Sequence, residues 1–445
     1  MLAALIIMIG EAQTLAPPST PPPVHRLTLH EAERRASAHP AAIIGDQAAL
    51  AAEARAGESR AALLPQVSLS GSYRYATGNR AIRIGTPPLP PTTRRAPPSS
   101  RIYDYLNTSV TATQLLYDFG QSTSVWQAAR AAADGASLDA RAVRQALLLD
   151  VRLAFFAALA RRELFEVAIE DLANQQRHLA QVKELIALQL RPPIDLAQAR
   201  AGTGAAELRR IAAENDLALA KVELCRAMGE PFAEDLDVVG EDLPPVAGEE
   251  STSHVLVTEA ARARPELASS DRQVDAAERA LAGARGGFGP ALHLALGVTD
   301  VGPMFDPGPF DGTNLRWNYS AALVLNWPLF EGGRTRARVR EAESLRAQAS
   351  AHRRSLEVDV SVEVERARRS VAAAKASVAV SELTLESARE RLHLADGRYR
   401  AGVGTALELS DAQLGQTTAA AQRVQARYDL ATARAQLLHA IGDTR

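Results

Sequence analysis

Two stretches of this chain, Gln121 to about Leu190 and Arg334 to about Arg400, contain no proline. Both are rich in Ala, Leu, Arg and Glu, which favour helix. At about 1.5 Å per residue, each predicts a helix reaching roughly 100 Å. Helices of that length do not pack inside a compact domain, so they predict a bundle or coiled coil. Leu153, Phe156, Leu159 and Leu164 give an approximate apolar stripe, and the abundant Ala elsewhere permits close helix approach. One segment cuts across this pattern. Leu356, Val358, Val360, Val362 and Val364 alternate with Glu357, Asp359, Ser361, Glu363 and Glu365, a local strand signal. Its counterpart, Arg144 to Val151, reads helical, and helix is expected for both.

That counterpart exists because the chain repeats itself. Pro40, Glu53 and Pro65 recur as Pro265, Glu278 and Pro290 at one constant offset. At a second, slightly shorter offset, Leu115 to Gln121 meets Pro328 to Arg334, Asp195-Leu196 meets Glu408-Leu409, and Met228-Gly229-Glu230 meets Ile441-Gly442-Asp443. The change falls where the first half carries a Pro-rich insert, Thr86 to Ser100, as loop tips tolerate. The segment joining the halves, Glu230 to Ser253, is rich in Pro, Gly and acids (Glu241-Asp242-Leu243-Pro244-Pro245) and reads as a linker rather than a core element.

Each half also holds two segments of period-two alternation. Val67, Leu69, Tyr73 and Tyr75 oppose Gln66, Ser68, Ser70, Ser72 and Arg74; Leu106, Val110 and Ala112 oppose Asn107, Ser109, Thr111 and Thr113. In the second half, Leu292, Leu294, Leu296 and Val298 oppose Ala291, His293, Ala295 and Gly297; Trp317, Tyr319, Ala321, Leu323 and Leu325 oppose Asn318, Ser320, Ala322 and Asn326. Strands of about ten residues suit a tilted bilayer crossing. Aromatic residues gather near the strand ends (Tyr73, Tyr75, Tyr103, Tyr105, Tyr117, Trp317, Tyr319, Trp327), as at membrane interfaces. On alternation alone a water-soluble sandwich sheet fits equally well. The long helices favour a barrel: four strands cannot close, and closure by several protomers removes the exposed edges.

Composition excludes more than it assigns. A formal net charge of -2 gives no reason to expect nucleic acid as a partner. The single cysteine, Cys225, cannot form an intramolecular disulfide. The apolar run Leu2 to Ile9 is too short to span a bilayer as a helix but matches the core of a secretory signal, though without its basic n-region. Gly10-Glu11-Ala12 or Thr14-Leu15-Ala16 would lie near the cleavage site. There is no Walker A segment, no Gly-x-Ser-x-Gly and no His-Glu-x-x-His, and the nine histidines are scattered. No enzyme, cofactor or metal is expected. The resulting division is a signal segment at 1–16, a Pro-rich linker at 17–26 and a first repeat at 27–230. That repeat has strands near 66–76 and 104–116 and a long helical hairpin at 121–229. An inter-repeat linker at 231–253 precedes a second repeat at 254–445, with strands near 290–300 and 316–328 and a hairpin at 334–442.

Two repeats, each a helix, a strand pair ending in Leu-Tyr/Phe-Asp/Glu-Xaa-Gly and a long helical hairpin, resemble the TolC-like outer-membrane efflux family. Leu64-Pro65 and Gly289-Pro290 stand where that family passes from helix into strand. The run Tyr399 to Gln413 looks like the family's second hairpin turn. The resemblance implies a mainly α fold with a transmembrane β part: a homotrimer whose four strands per chain close a 12-stranded β-barrel, continued by an α-helical barrel into the periplasm. It implies a passive duct in the outer membrane, in contact with its lipid. It also implies a periplasmic adaptor (membrane fusion) protein and an inner-membrane transporter of RND, ABC or MFS type as partners, in efflux or type I secretion.

The resemblance also assigns residues. The turns Arg191, Pro192, Pro193, Ile194 and Gly402, Val403, Gly404, Thr405 would receive the adaptor. Glu408 and Asp411 would form an acidic ring at the pore gate. Tyr399 and Asp195 would latch neighbouring hairpins, although the family's latch arginine is matched here by Gly404. From the residues alone, Thr405-Ala406-Leu407-Glu408 is equally a helix-capping box, and the alternative for both turns is a plain helix break. Two other classes compete: a soluble or envelope-attached coiled-coil scaffold, which leaves the duplicated strand pairs unexplained, and a periplasmic adaptor, which would need a single hairpin.

Overall fold

The structure, a computed structural model, describes residues 25–78, 101–189, 191–232, 236–240, 244–246, 248–302 and 317–443. The signal segment, most of the Pro-rich stretch that follows it, the insert Thr86 to Ser100 and Leu190 lie outside the described residues. In chain order the elements are β1 (His25–Leu27), α1 (Leu29–Ala36), α2 (Pro40–Ala61), β2 (Gln66–Gly78), β3 (Arg101–Tyr117), α3 (Gln121–Ala187) and α4 (Pro193–Met228). They continue with β4 (Leu236–Val238), α5 (Ser253–Ala263), α6 (Pro265–Gly286), β5 (Ala291–Gly302), β6 (Trp317–Asn326), α7 (Arg334–Arg400) and α8 (Ala406–Ile441). Helices α3 and α7 each have 67 residues, and α4 and α8 each have 36. The duplication therefore holds element by element.

The chain forms two compact units. One comprises Gly45–Ala140 and Pro265–Glu357 and contains a four-stranded antiparallel sheet in the order β2-β3-β5-β6. Its register carries the alternation across all four strands. Leu69 pairs Val110, Val110 pairs Val298, and Val298 pairs Tyr319; Val67, Ala112, Leu296 and Ala321 form the next row of the same face. The opposite face is polar, with Ser68 hydrogen-bonded to Thr111 and Ser70 to Ser109, each at 2.7 Å. Tyr319, Leu323 and Leu325 stand exposed, so the apolar face is uncovered within the chain. Where each strand pair ends, an acid secures the long helix that follows. Asp118 accepts from the Ser122 amide at 2.7 Å, and Glu331 accepts from the Thr335 hydroxyl at 2.7 Å.

The other unit comprises the chain up to Ile44, Arg141–Arg264 and the chain from Val358. Its core is built on Phe155, Phe156, Leu224, Met228 and Tyr428, with Ala158, Ala431 and Ala435 allowing the helices to close. The alternating segment near Val358 is helix. Val360, Val364, Ala367 and Val371 are buried at helical spacing, whereas Val358 and Val362 are exposed. Alternation there was coincidental, because only every second valine faces the core.

The segment expected to be a linker rather than a core element is corrected by the structure. Within it, β4 pairs in parallel with β1, and Leu236 and Val238 are fully part of the Phe155 core. Further on, Val246 is buried, and the Glu249 carboxylate accepts from the Val246 amide at 2.9 Å, from Lys375 at 2.7 Å and from Arg434 at 3.2 Å. The Pro, Gly and acid content marks the turns between these short contacts, and three-residue strands are too brief to show a period.

Candidate functional site: the paired hairpin turns

The α3–α4 turn and the α7–α8 turn meet in the second unit. The first is made by its prolines. Pro192 is the extended N-cap and Pro193 the first residue of α4, where a missing amide costs nothing. The second is made by Gly402, at φ +80°, whose amide donates to Tyr399 O at 3.1 Å. A Cβ on Gly404 would stand 2.9 Å from the Tyr399 nitrogen and 3.0 Å from Arg398 C, so this position admits no side chain without moving backbone.

Between the turns lies Tyr399, 1% exposed. Its hydroxyl donates to Asp195 Oδ2 at 3.4 Å. Burial pushes the Tyr399 phenol up, with the Asp195 carboxylate adding and Arg191 opposing, so the hydroxyl keeps its proton. The Arg191 guanidinium stacks on the Tyr399 ring at 4.1 Å and donates to the carbonyls of Tyr399 at 2.5 Å and Gly404 at 3.3 Å. His178 of α3 packs edge-on to the same ring at 5.5 Å. Val182, Ala199, Ala406, Leu409 and Ala412 complete a small core around it.

Of the residues singled out in the sequence, the structure brings together Tyr399, Asp195, Arg191 and Gly404. Arg191 turns inward onto Tyr399. Pro192, Pro193, Ile194, Gly402, Val403 and Thr405 are exposed. Thr405 caps α8, its hydroxyl accepting from the Glu408 amide at 3.1 Å. The Glu408 carboxylate lies 3.3 Å from Arg398 Nε, whereas Asp411, one turn on, is exposed. Sequence reading missed His178. The signal was present in the row Asp171, Gln175 and His178, polar residues at seam spacing that are all buried and that lead on to the buried Val182. A polar row is ordinarily read as a solvated face.

A family model described as outer membrane efflux protein matches residues 45–230 and 256–443, both halves of the chain. The chain belongs to the outer membrane efflux protein family. Membership places it at the outer membrane. Among curated relatives, the probable outer membrane lipoprotein SilC of Salmonella typhimurium is 24% identical over 205 residues. That match covers 45% of this chain and 42% of SilC, so it spans less than half of that relative. Two solved structures share the fold over most of their length. The outer membrane protein VceC of Vibrio cholerae has a TM-score of 0.80 at 18% identity, covering 93% of this chain and 96% of that one. The MtrE outer membrane channel of Neisseria gonorrhoeae, in its open state, has a TM-score of 0.76 at 18% identity, covering 93% and 89%.

In this efflux-family chain the buried imidazole is expected to make the hairpin turns sensitive to acid. Burial holds His178 below the usual histidine value of 6.5, although the Asp396 and Asp195 carboxylates pull the other way. A histidine depressed in the folded state favours folding fully above about pH 6.5, and that contribution is lost as pH falls toward the folded value. The protection of the turn amides, that is their exchange corrected for its intrinsic pH dependence, should therefore fall as pH drops below about 6.5. In His178→Phe, which keeps the ring contact, the acid-dependent part of that change should disappear; a wild-type profile in this variant would exclude His178 as the cause.

Proposed function

We propose that this protein is the passive exit duct of a tripartite efflux or type I secretion system. The observation that carries this reading is the apolar face continuous across β2, β3, β5 and β6, with both sheet edges unpaired among the described residues. An open, apolar, four-stranded sheet is unstable alone in water, and three copies closing a 12-stranded barrel satisfy both the edges and the apolar face in lipid. Among the described residues no helix is long and apolar enough to cross a membrane, so spanning falls to the strands. The polar face, with its Ser and Thr ladder, then lines the lumen.

In such a trimer the paired hairpin turns form the periplasmic end. Pro192, Pro193, Ile194, Gly402, Val403 and Thr405 offer an exposed surface to an adaptor protein, which would couple the duct to an inner-membrane transporter of RND, ABC or MFS type. Tyr399 and Asp195 hold the turns together. Glu408 and Asp411 project from the first turns of α8, and three copies would gather six carboxylates at one constriction, selecting cations. Arg398 already offsets Glu408, so Asp411 carries more of this effect.

Planar-bilayer recording of the purified protein tests the proposal. Small, cation-selective currents blocked by divalent cations are expected. Asp411→Ala should enlarge them and weaken the block, and Glu408→Ala/Asp411→Ala should remove it, with Glu408→Ala alone the mildest. Currents indifferent to the double change would leave the duct and reduce Glu408 to a helix-capping position. A folded sample that neither inserts nor conducts would overturn the duct in favour of a coiled-coil scaffold.

A further inference from the structure

Beside the hairpin turns, α3, α7 and α8 leave a cleft of about 350 Å³. Its lining is strongly polar and includes Arg177, His178, Arg389, His393, Asp396 and Arg400. The acids in it are already spent. Asp396 is held by Arg400, at 2.8 Å and 3.2 Å from its two oxygens. Asp171 receives Arg209 at 2.7 Å and the Thr417 hydroxyl at 3.0 Å. The cations are not all matched. Among the described residues Arg389 faces no carboxylate at ion-pair distance, and Arg177 donates only to the neutral Asn174 amide. His178 is 9% exposed, makes no hydrogen bond to any described residue, and lines the cleft. Its ring nitrogens are not among the buried polar atoms left without a partner, so they are met from the open cleft, by water or by a bound group. The unmatched charge lining the cleft is positive, from Arg177 and Arg389, which favours an anion there.

We propose that this cleft binds a small oxyanion, a free phosphate or the carboxylate of a small organic acid, on the Arg177 and Arg389 guanidiniums and the His178 N–H. Guanidinium matches either anion in planar, two-pronged fashion, and charge-assisted hydrogen bonds in a partly desolvated cleft are the stronger class. An occupant here touches α3 and α7 at once and lies against the histidine that packs on Tyr399. It would therefore tie anion binding to the state of the hairpin turns. The inference stands apart from the duct reading, since it concerns one cleft within a single chain.

The test is a titration of the full-length protein in detergent by calorimetry and thermal unfolding. Sodium phosphate and sodium citrate are compared with sodium chloride at matched ionic strength. Saturable binding of phosphate or citrate, with a matching rise in unfolding temperature, is expected. Phosphate alone would assign inorganic phosphate, citrate alone a carboxylate, and either supports the site. Arg389→Gln and Arg177→Gln, both exposed and so tolerated by the fold, should each weaken binding about ten-fold or more, as the loss of a charged hydrogen bond requires. His178→Phe should weaken it while keeping the ring contact. Responses identical to chloride would overturn the proposal. So would undiminished affinity in a folded Arg177→Gln/Arg389→Gln double variant.

Discussion

Replacing Arg191 by Ala is expected to loosen the paired hairpin turns and raise the open probability of the reconstituted protein about ten-fold or more. The side chain does three things at once. It stacks on the Tyr399 ring and donates to the carbonyls of Tyr399 and Gly404. A cation on a ring contributes about 0.5–2 kcal/mol, and charged hydrogen bonds about 1.5–3 kcal/mol. Allowing for overlap between these terms, the loss to the turn contact is about 2–4 kcal/mol. The core around Phe155 is untouched, so the global unfolding temperature should move little while protease cleavage at the turns accelerates. Arg191→Lys should recover only part of the effect, because an ammonium lacks the planar fork that spans two carbonyls. If conductance and cleavage in Arg191→Ala match wild type, the guanidinium does not hold these turns.

The second large effect is on stability. Glu249→Ala should cost about 3–5 kcal/mol, the range found when one partner of a buried ion pair is removed. The Glu249 side chain is 3% exposed, and its loss removes the carboxylate to which Arg434, itself 12% exposed, donates. Lys375, more exposed, matters less, so Lys375→Ala should be milder than Arg434→Ala. Burial pushes the Glu249 carboxyl up, but hydrogen bonds from Lys375, the Val246 amide and Arg434 outweigh it and hold the group below its usual value. A carboxylate depressed in the folded state stabilises above its unfolded value, near 4.3, and that stability is lost as pH falls through the folded value. Unfolding midpoints from pH 7 down to about 3.5 should show this acid loss in wild type and not in Glu249→Gln. Equal acid sensitivity in both would remove Glu249 from the account.

These two residues show how legibility was divided. Arg191 was visible as part of a proline turn, and the turn formed where the prolines and Gly402 stand. Its direction was not visible, because the carbonyl it reaches lies 208 residues away. The missing latch arginine at Gly404 likewise has a reason only the structure supplies. The backbone of Arg398 and Tyr399 leaves no room for a Cβ there, and an arginine from the other turn occupies the space over Tyr399. Glu249 sat in a stretch whose composition reads as linker, and nothing local distinguishes a buried acid from a solvated one.

What the sequence determined by itself was everything set by local period and by duplication: two long helices of equal length, two strand pairs with one apolar face, and the turns between them. Those follow from backbone geometry, which repeats every 3.6 or 2 residues wherever the chain goes. What only the tertiary structure decided was which polar groups are buried and with whom. His178, Glu249 and Arg191 acquire their roles from partners remote in the chain. Burial of a polar group is tolerated only when packing delivers a partner, and no local period records that delivery.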